Sequence, residues 1–330
     1  MTQKTDKTSY ILAVFAVVLV LHFHLLPAVV AGLAVHVMTI KLSRRVPAHW
    51  GSMAHEVALG LIAVCVAAVL FGIGFGLWSF LHGHHGMSEL LAAVAETLDR
   101  LKQTLPADLS VSLPDTAEEL QSRLADLMRE NGRHLSAVGM EGVKTFAHVL
   151  LGMVVGGMTA LHSFTGSEKW PPLAAALHSR MKLLAESFDK VIFAQAKISV
   201  LNTILTAVYL AIILPVCGVH VPMVTVLIIF TFLAGMLPVV GNLISNGVIV
   251  VISLGVSPGV GGASMLFLVL VHKLEYFTNA RIVGGEVHAR AWELLCAMLV
   301  MEAIFGLGGM VAAPIVYAWL KAELQVLKLV

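Results

Sequence analysis

Long apolar runs dominate the chain, and the polar positions between them set out its elements. Tyr10 to Leu21 and Ala28 to Ile40 are both apolar, divided by His22-Phe23-His24 and Pro27. That pattern predicts a hairpin of two short membrane helices rather than a cleaved signal peptide, since a second run follows the first. Glu56 to Leu81 predicts a third span and Gly142 to Phe164 a fourth, each near or above the roughly 20 residues a helix needs to cross a bilayer. Gly72 with Gly76, and Gly152 with Gly156, repeat at the spacing that lets a second helix approach closely. Ile198 to Val216 predicts the fifth span, with further apolar runs over Ala263 to Phe277 and Ala291 to Leu320.

Two runs do not fit a simple span. Val221 to Leu254 holds no charge, is too long for one crossing, and contains no polar loop that would separate two. At its middle stands Leu237-Pro238-Val239-Val240-Gly241-Asn242. The last run is interrupted in the same way by Phe305-Gly306-Leu307-Gly308-Gly309 and by Pro314. Pro238, Gly241, Gly306, Gly308, Gly309 and Pro314 therefore read as the hinges of half-length or re-entrant helices. Such breaks are tolerated at membrane depth only where protein or a water-filled cavity surrounds the freed backbone. Counting them, the pattern predicts about eight membrane elements, two of them broken or re-entrant.

Polar stretches complete the organisation. Residues 82–139 carry leucines at helical spacing and are divided by Pro106 and Pro114, with a capping-box pattern from Asp115 to Glu118. They predict an amphipathic helical insert outside the cytoplasm. After Phe164, Lys169, Arg180, Lys182, Lys190 and Lys197 with Trp170-Pro171-Pro172 predict a cytoplasmic helix at the lipid headgroups. The expected divisions are 1–81, 82–139, 140–197 and 198–330. Lys41, Arg44 and Arg45, and Lys321 and Lys328 at the other end, place both termini inside.

Composition confirms the class. Hydrophobic residues make up 58% of the 330 and charged residues 12%, at a mean hydropathy of +0.90. Soluble domains carry about 25% charged residues, so the chain reads as an all-α polytopic membrane protein. A net charge of +1 without a basic stripe excludes nucleic acid. Cys65, Cys217 and Cys296 all lie in apolar segments and are expected to be small buried hydrophobes. His82, His84 and His85 lack a carboxylate or Cys to complete a metal site, and His55-Glu56 lacks a second His. No phosphate-binding Gly-Lys-Ser/Thr motif and no Ser-His-Asp set stands out, so neither an enzyme nor a cofactor is expected.

Candidate chemistry gathers at the breaks. Asn242, Ser245 and Asn246 offer amide and hydroxyl oxygens suited to a sodium ion or a polyhydroxylated solute, or to the broken backbone itself. His272, Glu275 and Asn279 share a helix face, with Lys273 and Arg281 nearby. Glu275 is a candidate proton or cation ligand, or else a member of a local ion pair. Glu302 is the only charge between Leu294 and Phe305. A lone carboxylate there must be paired, hydrated or protonated, which suits proton or cation exchange or a tie between helices. Glu293 lies nearer a helix end and reads as interfacial.

Gln195-Ala196-Lys197, Leu237 to Asn242, His272-Lys273-Leu274-Glu275-Tyr276-Phe277-Thr278-Asn279-Ala280-Arg281-Ile282-Val283-Gly284 and Phe305 to Pro314 together resemble the autoinducer-2 exporter superfamily. The likeness covers the order of elements, and its motifs are concentrated after residue 190. Where that family commonly has an Ile-Pro pair, a second Pro close after the Gly and a Pro before the basic residue, this chain has Leu237-Pro238, Asn242 and Ala280. The resemblance implies a bacterial inner-membrane protein, often a homo-oligomer, that exports a signalling molecule or exchanges sodium for protons. The expectation is a secondary transporter of a small solute or ion, in contact with membrane lipids, coupled to Na+ or H+, and using a midplane site at the broken helices. The alternatives are a membrane scaffold or sensor, or a channel-like homo-oligomer.

Overall fold

The computed structural model describes residues 2–47, 53–82, 122, 126, 132–165, 170–236, 240–287 and 289–329, and every regular element among them is helical. The N-terminal hairpin is α1 (Thr2–His22) and α2 (Leu26–Ser43). His24 turns the chain at φ 54°, and Pro27 falls in the first turn of α2, where no amide hydrogen is needed. Next come α3 (Met53–His82) and α4 (Gly132–Thr165). Most of the expected 82–139 insert, with Pro106, Pro114 and the three clustered histidines apart from His82, lies outside the described residues.

Helix α5 (Pro172–Val208) departs from expectation by running without a joint through the predicted interfacial helix and into the fifth span. No Gly or Pro interrupts it before Pro215. A π-helical turn, Tyr209–Ile213, and a last α turn, Leu214–Val216, finish it. Pro215 explains that turn, because its ring would clash with a carbonyl one turn earlier and its nitrogen cannot donate, so a wider turn relieves both. Then follow α6 (Val224–Gly235), α7 (Val240–Val256), α8 (Pro258–Val287) and α9 (Ala291–Val326). Six helical segments among the described residues are long and apolar enough to cross a membrane, and three shorter apolar ones follow the fifth.

Two compact units divide these helices, the first comprising Met1–Leu70, Gly139–Phe193 and Val283–Val330, the second Phe71–Val138 and Ala194–Ile282. In the first, α2 and α4 touch backbone to backbone. A methyl group on Gly152 would lie 2.0 Å from the Ala28 carbonyl oxygen, and one on Gly156 2.0 Å from that of Gly32. The expected close approach of Gly152 and Gly156 is thus present, whereas a methyl on Gly72 would meet open space. Phe188, Val191, Ala289, Ile315 and Ala318 form this unit's core. One end of it is tied by Arg180, whose guanidinium donates to Ser9 Oγ at 2.8 Å and Glu323 Oε2 at 2.7 Å. The same group lies 3.3 Å above the Tyr10 ring centroid.

The second unit packs Tyr209, Leu210, Leu214, Val221, Leu227, Ile249 and Leu268. Tyr209 stacks on Phe267 at 4.0 Å, and its hydroxyl joins a buried chain through Ser264 to Ser253. Outside these cores many large aliphatic and aromatic side chains among the described residues point outward, among them Phe71, Leu243 and Leu307. Several small polar side chains, such as Ser199, Thr231, Ser245 and Ser253, are buried instead, as expected where lipid rather than water surrounds the helices. All three cysteines are exposed and free, correcting the expectation of burial. A thiol is as compatible with lipid as with a core.

Candidate functional site

The first break is a tight hairpin within an uncharged apolar run. Helix α6 has 12 residues and is about 18 Å long at 1.5 Å per residue, well short of a hydrocarbon core of about 30 Å. It packs along α7. The two meet so closely at the turn that a methyl group on Gly241 would lie 1.6 Å from the Ala234 carbonyl oxygen. Pro238 itself lies outside the described residues.

Ending a helix inside a bilayer leaves its last carbonyls without intrahelical donors. Here α5 supplies them. Gln195 Nε2 donates to the Gly235 carbonyl at 2.7 Å, and Ser199 Oγ donates to that of Phe232 at 2.6 Å. Both belong to a stripe, Gln195, Ser199, Asn202 and Thr206, whose spacing of three or four residues puts them on one face. Ser199, Asn202 and Thr206 are buried, while Val200 and Ile204 between them, and Val208 after them, are exposed. From α7, Asn242 and Ser245 are buried as well, and Asn246 is half-buried. Gly235 holds the three elements together, since a methyl there would fall 2.7 Å from Ser199 Oγ and 3.3 Å from Asn242 Oδ1.

One group on the stripe stands apart. Asn202 is 5% exposed, and its Oδ1 is enclosed with no hydrogen-bond partner among the described residues. Buried polar atoms are seldom left so, because each costs about 1–3 kcal/mol when unsatisfied.

The second break is a fold-back, too. Glu293 Oε2 accepts from Tyr317 Oη at 2.6 Å and Lys321 Nζ at 2.7 Å, although 28 residues of straight helix would span about 42 Å. The reversal is at Gly306, with φ 64° and ψ −153°, a conformation that essentially only glycine adopts. Gly309 stands where a methyl would lie 2.1 Å from the Met301 carbonyl oxygen, and Gly308 is exposed. Pro314 sits in the second arm, whose backbone stays helical.

Glu302 lies on the first arm near this turn, exposed beside Leu299 and with no ion-pair or hydrogen-bond partner among the described residues. Nine residues separate it from the polar knot at Glu293, about 14 Å along a helix.

The candidates therefore fall into separate places. Asn242 and Ser245 join the first hairpin's interior, Glu302 belongs to the second hairpin in the other unit, and His272 is exposed on α8. Glu275 and Asn279 follow on α8, with side chains outside the described residues. Sequence reading missed Ser199, Asn202 and Thr206. The signal was present as polar residues recurring every third or fourth position in a span whose intervening positions are mostly aliphatic.

Comparison with known proteins agrees with this architecture. The family model described as AI-2E family transporter matches residues 9–328. A protein of Bacillus subtilis (strain 168) named "Putative transport protein YdbI" is 31% identical over 147 residues, 43% of this chain and 39% of that protein. The chain thus matches about two fifths of that relative's length. No solved structure matches the chain.

Proposed function

The chain belongs to the AI-2E family of transporters, and from that premise we propose that it is a secondary transporter that exports a small solute across the bacterial inner membrane, with both termini in the cytoplasm. The observation that carries the reading is the α6–α7 turn, where a helix ends within an apolar run against a buried polar stripe. An aliphatic packing surface would need no such groups, whereas a solute leaving water needs replacements for its hydration. In this reading the first hairpin handles the solute and Glu302 carries the coupling ion, Na+ or H+. A carboxylate in a membrane segment is costly unless its charge is exchanged or neutralised as part of the work. Enzymatic activity has no part in it, and function as a homo-oligomer would cover the exposed face around Glu302.

Flux in proteoliposomes under imposed proton and sodium gradients tests this. Glu302→Gln is expected to abolish the dependence on the gradient while leaving the protein folded. Gradient-driven flux unchanged in that variant would remove Glu302 from the mechanism. No flux of any offered solute, autoinducer-2 included, would point instead to a scaffold or sensor.

A further inference from the structure

We infer that the first unit carries a headgroup site for phosphatidylethanolamine, in the cleft between α5 and the last turns of α9. The cleft has a volume of about 300 Å³, at the lower end of the range for ligand sites. Glu186, Ser187 and Lys190 line it from α5 and Gln325 from α9, with Leu183 and Val326 as its apolar wall. Glu186 and Lys190 stand four residues apart with the acid first, the order that favours a helical ion pair. They form none. Both are exposed, and neither has an ion-pair or hydrogen-bond partner among the described residues. Two opposite charges thus line one cleft uncompensated, and Ser187 between them is only 3% exposed.

Charge and surroundings decide the ligand. Lys41 is the first charge after the apolar run of α2, and it pairs with Asp189, the neighbour of Lys190. Lys321 is the first charge after the apolar stretch that follows Glu302, and Gln325 lies one turn beyond it. Elements that change together from apolar to charged describe a headgroup boundary. Beyond Gln325 the chain exposes Val326, Leu327 and Leu329, an apolar surface that acyl chains cover and a soluble zwitterion would not. A purely basic site would select anionic lipid, whereas one acid with one base selects a zwitterion. A primary ammonium donates to the Glu186 carboxylate and the Gln325 amide oxygen, and a phosphate accepts from Lys190 and the Ser187 hydroxyl. Residues four apart on a helix have Cβ atoms about 5–6 Å apart, a gap that the two-carbon link of ethanolamine phosphate spans. Phosphatidylglycerol would set an anion beside Glu186 with no cation to offset it. The quaternary ammonium of phosphatidylcholine has no proton to donate.

The test is native mass spectrometry of the purified, delipidated full-length protein titrated with phosphatidylethanolamine, phosphatidylglycerol and phosphatidylcholine of identical palmitoyl and oleoyl chains. Phosphatidylethanolamine is expected to bind about tenfold tighter than either other lipid. Glu186→Gln should abolish that preference and Glu186→Asp should keep it. Lys190→Gln should weaken all three, since each lipid carries a phosphate. Without lipid the variants should unfold at the wild-type midpoint, because neither side chain has a protein partner to lose. O-Phosphoethanolamine, the free headgroup, should bind far more weakly than the lipid for want of acyl chains. Equal affinity for the three lipids, a preference for phosphatidylglycerol, or a preference unmoved by Glu186→Gln overturns the inference. So does a lowered midpoint, which would make these side chains structural, and so does tight binding of O-phosphoethanolamine, which would give the cleft to a soluble zwitterion. None of these readouts requires transport, so they stand or fall separately from the transporter reading.

Discussion

A methyl group at residue 241 would collide with the Ala234 carbonyl at 1.6 Å, and because the obstacle is backbone it cannot turn aside. Gly241→Ala is therefore expected to force the α6–α7 turn apart, at a cost of about 3 kcal/mol. Gly247, two turns further along the same helix, has open space where its methyl would go, so Gly247→Ala should be neutral or stabilising through helix propensity alone. Thermal unfolding of both variants in the same detergent separates the two outcomes, and an equal midpoint would remove the close turn. Gln195→Leu belongs to the same experiment. It leaves the Gly235 carbonyl without its donor, and a loss of about 1–3 kcal/mol is expected. Gly241 was legible in the sequence as a helix breaker beside Pro238. Gln195 stood in a motif, but its role was not legible, because the carbonyl it caps is 40 residues away.

At the scale of elements, the apolar run that ends the chain advertised an interruption and concealed its direction. A glycine inside a helical pattern reads equally as a hinge, a kink or a reversal. The reversal at Gly306 is settled by Glu293, Tyr317 and Lys321, whose pairing spans 24 and 28 residues and leaves no trace in local periodicity. A direct test replaces Glu293 and Lys321 by cysteine in a background with Cys65, Cys217 and Cys296 removed. A short bifunctional thiol reagent should close the pair within the chain, whereas the ends of a straight helix would lie about 42 Å apart and stay unlinked. The fold-back also explains why Glu302, legible as a lone charge, needed the structure to place it beside a reversal of the helix. Helix α5 failed the other way. Its basic first half and apolar second half read as two elements, yet without a Gly or Pro between them the backbone had no reason to stop.

The whole molecule draws together residues that the sequence keeps furthest apart, and the clearest case is the knot of Ser9, Arg180 and Glu323. The apolar runs, their order and both interruptions could be read from hydropathy because lipid imposes length and apolarity on each segment separately. Which helices touch could not, since lipid-facing and protein-facing positions are nearly equally apolar and only contacts such as Ala28 with Gly152 decide. The knot gives that pairing a measurable energy. Arg180 and Glu323 are both buried, so Arg180→Met would leave a carboxylate enclosed without its counter-ion, at a cost of about 3–5 kcal/mol. Arg180→Met combined with Glu323→Leu removes both charges and should recover most of that loss, because neither group is then left unpaired. Unfolding in mixed micelles across wild type, both single variants and the double variant yields the coupling directly. Simple addition of the two single losses would show that α1, α5 and α9 are held by apolar packing instead. Combining Arg180→Met with Gly241→Ala provides the control: the two positions belong to different units, and their costs should add within about 0.5 kcal/mol.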